Sequence, residues 1–223
     1  MSSVTFKFDK NKDLFNIWET VNSNNSFGTD FKKNLSSRLI EISKGRSFED
    51  CKKELEEAMK KVHDSPIIKL YIKNINSMWE IIEKEYFKRI EKVMKKPIYI
   101  KKFTGYLTTA GKCPYNLKEN WFMINLFSSD LGALMTTGHE LMHLQFHHYY
   151  WNNFEKEVGK EKTADLKEAL TVLLNLEFKD LWFIEDPGYE KHKDLRNFVS
   201  DEWKKEKDFD LLLKKCINYL KKN

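Results

Sequence analysis

The stretch Thr136-Thr-Gly-His139-Glu140-Leu-Met-His143-Leu-Gln-Phe146 contains His-Glu-x-x-His. Residues four apart on an α-helix lie one turn apart on one face, so two imidazoles can reach a single ion. The glutamate between them points aside, where it can hold a water rather than the ion. The pattern therefore reads as one divalent metal with a base beside it. With this composition, chance alone gives the pattern in roughly one chain in seventy. Helical context has to carry the reading against a buried helix whose histidines merely satisfy hydrogen bonds.

That context is present. Ser128, Ser129 and Asp130 are good N-cap residues, and an apolar run follows at once. Leu131, Leu134, Met135, Leu141, Met142, Phe146 and Tyr149 recur at helical spacing and define a core-facing stripe. The predicted helix runs from about Asp130 to Trp151 and is roughly 30 Å long. His139 and His143 sit at one edge of the stripe, where they would line the border of a cleft.

Two histidines do not complete a zinc site, because catalytic zinc takes three protein ligands and leaves one position open. His147 continues the i, i+4 series, but it lies about 12 Å along a straight helix from His139. His147 and His148 are therefore expected at the surface or behind the site. A second helix, from a Thr163 cap to about Phe178, is apolar on nearly all sides except for Glu168, Thr171 and Asn175. A carboxylate on a buried helix needs a partner, either a metal ion or a lysine, unless it sits at the rim. Glu168 is the expected third ligand. Glu155, Glu157 and Glu161 lie in a more polar stretch, and Glu177 is on another face.

Size and composition bound the rest. The chain has 223 residues, 41% hydrophobic and 14% aromatic, ample for a core. Its net charge of +5 comes almost entirely from lysine. The arginines are Arg38, Arg46, Arg89 and Arg196, which argues against a dedicated nucleic-acid reader, since base and phosphate readout relies on arginine forks. Cys51, Cys113 and Cys216 are far apart and odd in number, so no disulfide framework is expected. No apolar leader or membrane-length run is present. A soluble cytoplasmic protein is expected.

Taken in order, Val4 to Phe8 alternates as a short strand, followed by a helix from about Asp13 to Val21 and a loop from Asn22 to Thr29. Asp30 caps a helix to about Ser43, and Ser47 to Asp50 opens another from Phe48 to about His63. Pro66 starts a long helix to Met94, with a kink or break admitted near Asn74 to Ser77. From Pro97 the pattern changes. Ile98 to Thr104 and Tyr106 to Ala110 read as strands punctuated by Gly105, and Trp121 to Phe127 as a third. A polar stretch follows Trp151. An Asp186-Pro-Gly turn and helices from about Lys191 to Lys204 and Phe209 to Leu220 complete the chain. The fold class is α+β and mostly α, with a small mixed sheet before the active-site helix. Residues 1–96 form a helical N-terminal subdomain and residues 97–223 the core, within one continuous fold.

With His139, Glu140, His143 and Glu168-Ala169-Leu170-Thr171 in place, residues 98–178 resemble the zincin metallopeptidases, and among them the thermolysin-like gluzincins. The resemblance implies one zinc ion held by His139, His143 and Glu168, and hydrolysis of a peptide or protein substrate by a water that Glu140 activates at the metal. It also implies an exposed strand edge, at Trp121 to Phe127, that binds extended peptide. An aromatic rim of Tyr115, Trp121 and Phe122 would favour apolar side chains. Val172 stands where the family often has an aspartate that orients a histidine, so that role is unassigned. Tyr189, His192 and Arg196 are the candidates for stabilising the transition state. Two alternatives stand beside a general peptidase: a regulatory zincin that cleaves one partner protein, and a helical interaction protein with a structural or vestigial metal site.

Overall fold

The computed structural model describes residues 2–23 and 28–222, so residues 24–27 of the expected Asn22–Thr29 loop lie outside it. The fold is mostly helical with one mixed four-stranded sheet. The strands are β1 (Ser3–Phe8), β2 (Lys102–Thr108), β3 (Tyr115–Asn116) and β4 (Trp121–Asn125), in the order β1-β2-β4-β3. β1 and β4 run parallel to β2, and β3 is antiparallel to β4.

Gly105 does not break a hairpin as expected; β2 runs straight through it. The register explains why. A Cβ at Gly105 would lie 2.6 Å from Phe6 Cδ1 and 3.2 Å from Phe122 Cε2. The glycine makes room for two aromatic rings packed across one face, a close approach rather than a turn. Ile98 to Ile100 carry no strand assignment.

The long helix α4 (Pro66–Met94) is continuous, without a break near Asn74 to Ser77. Asn76 instead accepts a hydrogen bond from Phe6 N at 3.0 Å, and Glu83 accepts one from Val4 N at 2.7 Å. Two side chains of α4 thus cover the open edge of β1, which would otherwise present unpaired amides. Within residues 1–96, the expected strand Val4 to Phe8 is β1 of the shared sheet, and α4 belongs to the main core.

The other early helices are α1 (Lys10–Asn22), α2 (Ser37–Ser43) and α3 (Phe48–His63), which enclose a second apolar cluster built on Leu14, Ile17, Cys51 and Leu55. The helix expected from Asp30 to Ser43 is split. Asp30 caps only a short 3₁₀ turn, and Ser36 caps α2 separately.

α5 (Asp130–Tyr149) is capped by Ser129, which accepts from Gly132 N at 3.1 Å. Leu134, Leu141, Met142 and Phe146 of the expected stripe are buried, while Leu131 is exposed at the free end. The polar stretch after it is a helix, α6 (Trp151–Val158). Gly159, at φ +83°, then turns the chain into α7 (Lys160–Leu170). The predicted Thr163 cap is inside α7, where its hydroxyl donates to Gly159 O. α8 (Val172–Glu177), α9 (Lys179–Trp182), α10 (Lys193–Glu206) and α11 (Phe209–Lys222) follow. Among the described residues, no helix is long and apolar enough to cross a membrane.

Candidate metal centre

α5 and α7 meet beneath a cleft of about 600 Å³. Its floor holds His139, Glu140 and His143 from α5 and Glu168 from α7. Its walls include Lys112 to Tyr115, together with Thr20, Ser23 and residues 28–32 of the N-terminal part. α5 is anchored by a close approach: Gly138 packs on Trp182 and Tyr86, with room for no Cβ, and Tyr86 donates to Gly138 O at 2.6 Å.

The three expected ligands converge. Glu168 Oε2 lies 3.1 Å from His143 Nε2 and 3.5 Å from His139 Nε2. Tetrahedral ligands at bonds of ~2.0–2.1 Å are separated by about 3.3 Å. The observed spacings bracket that edge, so one ion could replace the intervening protons with little movement. Among the described residues this is the group with metal-ligand geometry.

The carboxylate that the sequence left unassigned is Asp186. Its Oδ2 lies 2.8 Å from His139 Nδ1, which leaves Nε2 facing Glu168, as a ligating histidine requires. Asp186 is itself fixed. Its amide donates to Asn175 Oδ1 at 2.7 Å, its Oδ1 accepts from Gly188 N at 2.8 Å, and its carbonyl accepts from Arg196 Nη2 at 2.7 Å. Arg196 Nη1 also donates to Thr171 Oγ1 at 2.7 Å. Gly188, at φ +63°, lies flat on that guanidinium; a Cβ there would meet Arg196 Cζ at 2.6 Å. The polar stripe Glu168, Thr171 and Asn175 thus has a joint purpose. The first residue faces the histidines, and the other two tie α7 and α8 to the turn that orients His139.

The electrostatics follow from burial and these contacts. Burial is the largest influence on His139 and lowers its pKa, but the charge and hydrogen bond of Asp186, together with Glu168 and Glu140, outweigh it and push the imidazole up to about 10. Burial takes His143 down to about 3, so it is neutral and donates from Nε2 to Glu168. Burial alone would raise Glu168, yet His143 and Lys167 hold it well below the usual carboxylate range. Glu140, raised by burial to about 7, has a buried Oε2 with no hydrogen-bond partner among the described residues, as has His143 Nδ1.

Other expectations divide. Tyr115 and Tyr189 line the cleft. Trp121 faces a separate hollow and Phe122 is wholly buried, so neither forms the rim. β4 is not an exposed edge, because β3 pairs with it and Pro114 O accepts from Met123 N. His192 bonds Asp165 away from the cleft floor, and Arg196 supports Asp186 from behind. His147 stacks on Trp151 and His148 on Tyr99, so neither joins the triad. Glu155 accepts from Trp151, Glu157 pairs with Lys221, and Glu177 with Lys207. Sequence reasoning missed Asp186 and Lys167; Asn175 on the polar stripe and the Asp-Pro-Gly turn were the available signals for the first.

No protein-family model, curated protein or solved structure matches the chain.

Proposed function

We propose that this chain is a zinc-dependent peptidase of the zincin type. The observation that carries the reading is the convergence of His139 Nε2, His143 Nε2 and Glu168 Oε2 beside Glu140 on the floor of an open cleft. Three protein donors from two helices, two imidazoles and one carboxylate, suit a catalytic rather than a closed structural zinc site. When bound, zinc supplies Lewis acidity toward a carbonyl oxygen and toward water.

The protein's own groups supply the rest. Asp186 holds His139 with Nε2 directed at Glu168. Glu140 Oε2, buried and unpaired, takes the proton of the attacking water as its oxygen bonds to the amide carbon. The C–N bond then breaks, and Glu140 passes that proton to the departing nitrogen. The raised pKa of Glu140 places this base near the operating pH, and a nearby divalent charge would draw it lower. Tyr115 and Tyr189 bring hydroxyls to the cleft wall, where one can donate to the developing oxyanion.

The direct test pairs zinc stoichiometry with digestion of a peptide library. The wild type should bind one zinc per chain and cut peptides. Glu140→Gln should bind the same zinc and cut at least about 100-fold more slowly; wild-type activity in that variant would overturn the proposal.

A further inference from the structure

Lys167 is a charge that the ligand triad does not explain. It precedes Glu168 on α7, is 7% exposed, and lines the cleft. Its ammonium lies 2.7 Å from Glu168 Oε1 and 4.9 Å from the centre of the Tyr115 ring. Among the described residues, Glu168 is its one ion-pair partner. A buried ammonium needs a counter-charge. Glu168 serves fully only while its other oxygen is free of an ion.

Among the described residues that line the cleft are three lysines (Lys32, Lys112, Lys167) and three acids (Asp30, Glu140, Glu168). These charges cancel, and with both imidazoles neutral once an ion is bound, a divalent ion leaves the lining positive by two. Lys112 is already paired with Glu19 outside the lining, and Lys32 lies on the short 3₁₀ turn and is only half-buried. Lys167 is therefore the buried cation whose counter-charge, Glu168, a bound ion would share. It touches one oxygen of Glu168 while the other oxygen faces both imidazoles. An anion bound there sits one carboxylate's width from the reacting centre.

We propose that Lys167 makes this cleft selective for substrates with a carboxylate close to the bond that is cut, either an acidic side chain or the free C-terminus. The proposal rests on the zinc-peptidase reading above. In it Lys167 exchanges a share in Glu168 for the substrate's carboxylate when metal is bound, and the Tyr115 ring keeps the ammonium aimed into the cleft.

The test is calorimetry on the zinc-loaded full chain with two matched probes, succinate monohydroxamate and its terminal carboxamide. The carboxylate probe should bind about tenfold tighter or more, the effect of one charge-assisted hydrogen bond. Lys167→Arg should keep that preference and Lys167→Met should lose it. Equal affinity for the two probes in the wild type, which requires no variant to fold, overturns the inference; so does a preference that survives Lys167→Met. Zinc uptake is read in the same titration. No zinc refutes the metal reading and the inference with it, whereas zinc without carboxylate preference refutes the inference alone. Digestion of matched peptides, with free or amidated C-termini and with Glu or Gln side chains, then tells the two sources of carboxylate apart.

Discussion

Asp13 and Glu168 are both buried carboxylates in contact with imidazole, at 0% and 5% exposure. Asp13 is saturated by donors. Its Oδ1 accepts from Thr108 Oγ1 at 2.8 Å and Thr109 N at 2.6 Å, and its Oδ2 accepts from Thr109 Oγ1 at 2.8 Å and meets His63 Nε2 at 2.9 Å. These contacts clamp α1 and α3 to the end of β2, away from the cleft. Glu168 instead offers one oxygen to two imidazole nitrogens and the other to Lys167, and its surroundings leave Glu140 Oε2 and His143 Nδ1 unpaired. A fully satisfied carboxylate stabilises the fold. One that shares an oxygen between two imidazole nitrogens with metal-ligand spacing, in a cleft, beside a carboxylate with an idle oxygen, could hold an ion.

The sharpest break between the two regions is functional. Glu140→Gln should lower hydrolysis by about 10²–10⁴-fold with zinc uptake unchanged, as measured by peptide digestion and metal analysis. Next come the carboxylates themselves. Asp13→Ala removes the partner of His63 and of four-way hydrogen bonding, and should cost about 3–5 kcal/mol in urea unfolding. The folded fraction should still take up zinc. Glu168→Gln should abolish stoichiometric zinc uptake, so that zinc raises the melting temperature of the wild type and not of this variant. If the Asp13 variant lost zinc while folded, the two sites would not be independent.

Smaller effects test the support around the ligands. Asp186→Asn should weaken zinc about 10–100-fold, the usual consequence of losing an outer partner of a ligating histidine. The pH dependence has a definite sign. His139 is raised from its ordinary 6.5 to about 10, so in the metal-free protein its contribution to stability is full below 6.5 and is lost as pH rises through about 10. Zinc must displace that proton. Zinc affinity should therefore rise about tenfold per pH unit from neutrality towards about 10, with roughly one proton released from His139, read by calorimetry in buffers of different ionisation heat. The smallest effect is expected at His147, whose stacking on Trp151 leaves it outside the triad; His147→Ala should change zinc affinity by less than about twofold.

These contrasts also show what a sequence makes legible. α3, α4, α5 and α11 followed from caps, a first-turn proline or periodicity, because Ser47 and Ser129 do cap, Pro66 does open α4 and the stripes are buried. The triad followed from i, i+4 spacing and from a carboxylate isolated on an apolar helix. What failed was set by long-range partners. Gly105 resembles a turn until Phe6, nearly a hundred residues earlier, is placed against it. The break at Thr171 depends on its hydroxyl donating to Glu168 O and accepting from Arg196. Asp186 can be assigned only once Asn175 and Arg196 are seen to fix its turn. α6 is short and carries Trp151, Phe154 and Val158 among polar residues, too sparse a pattern to read locally.

The most direct test of the metal centre is X-ray absorption on the zinc-loaded full chain, compared with Glu168→Gln. The wild type should show one zinc with two imidazole nitrogens and one carboxylate oxygen from the protein, and the variant should lack that site. A site with four protein ligands, a spectrum unchanged by Glu168→Gln, or no zinc uptake at all would contradict the proposed metal centre.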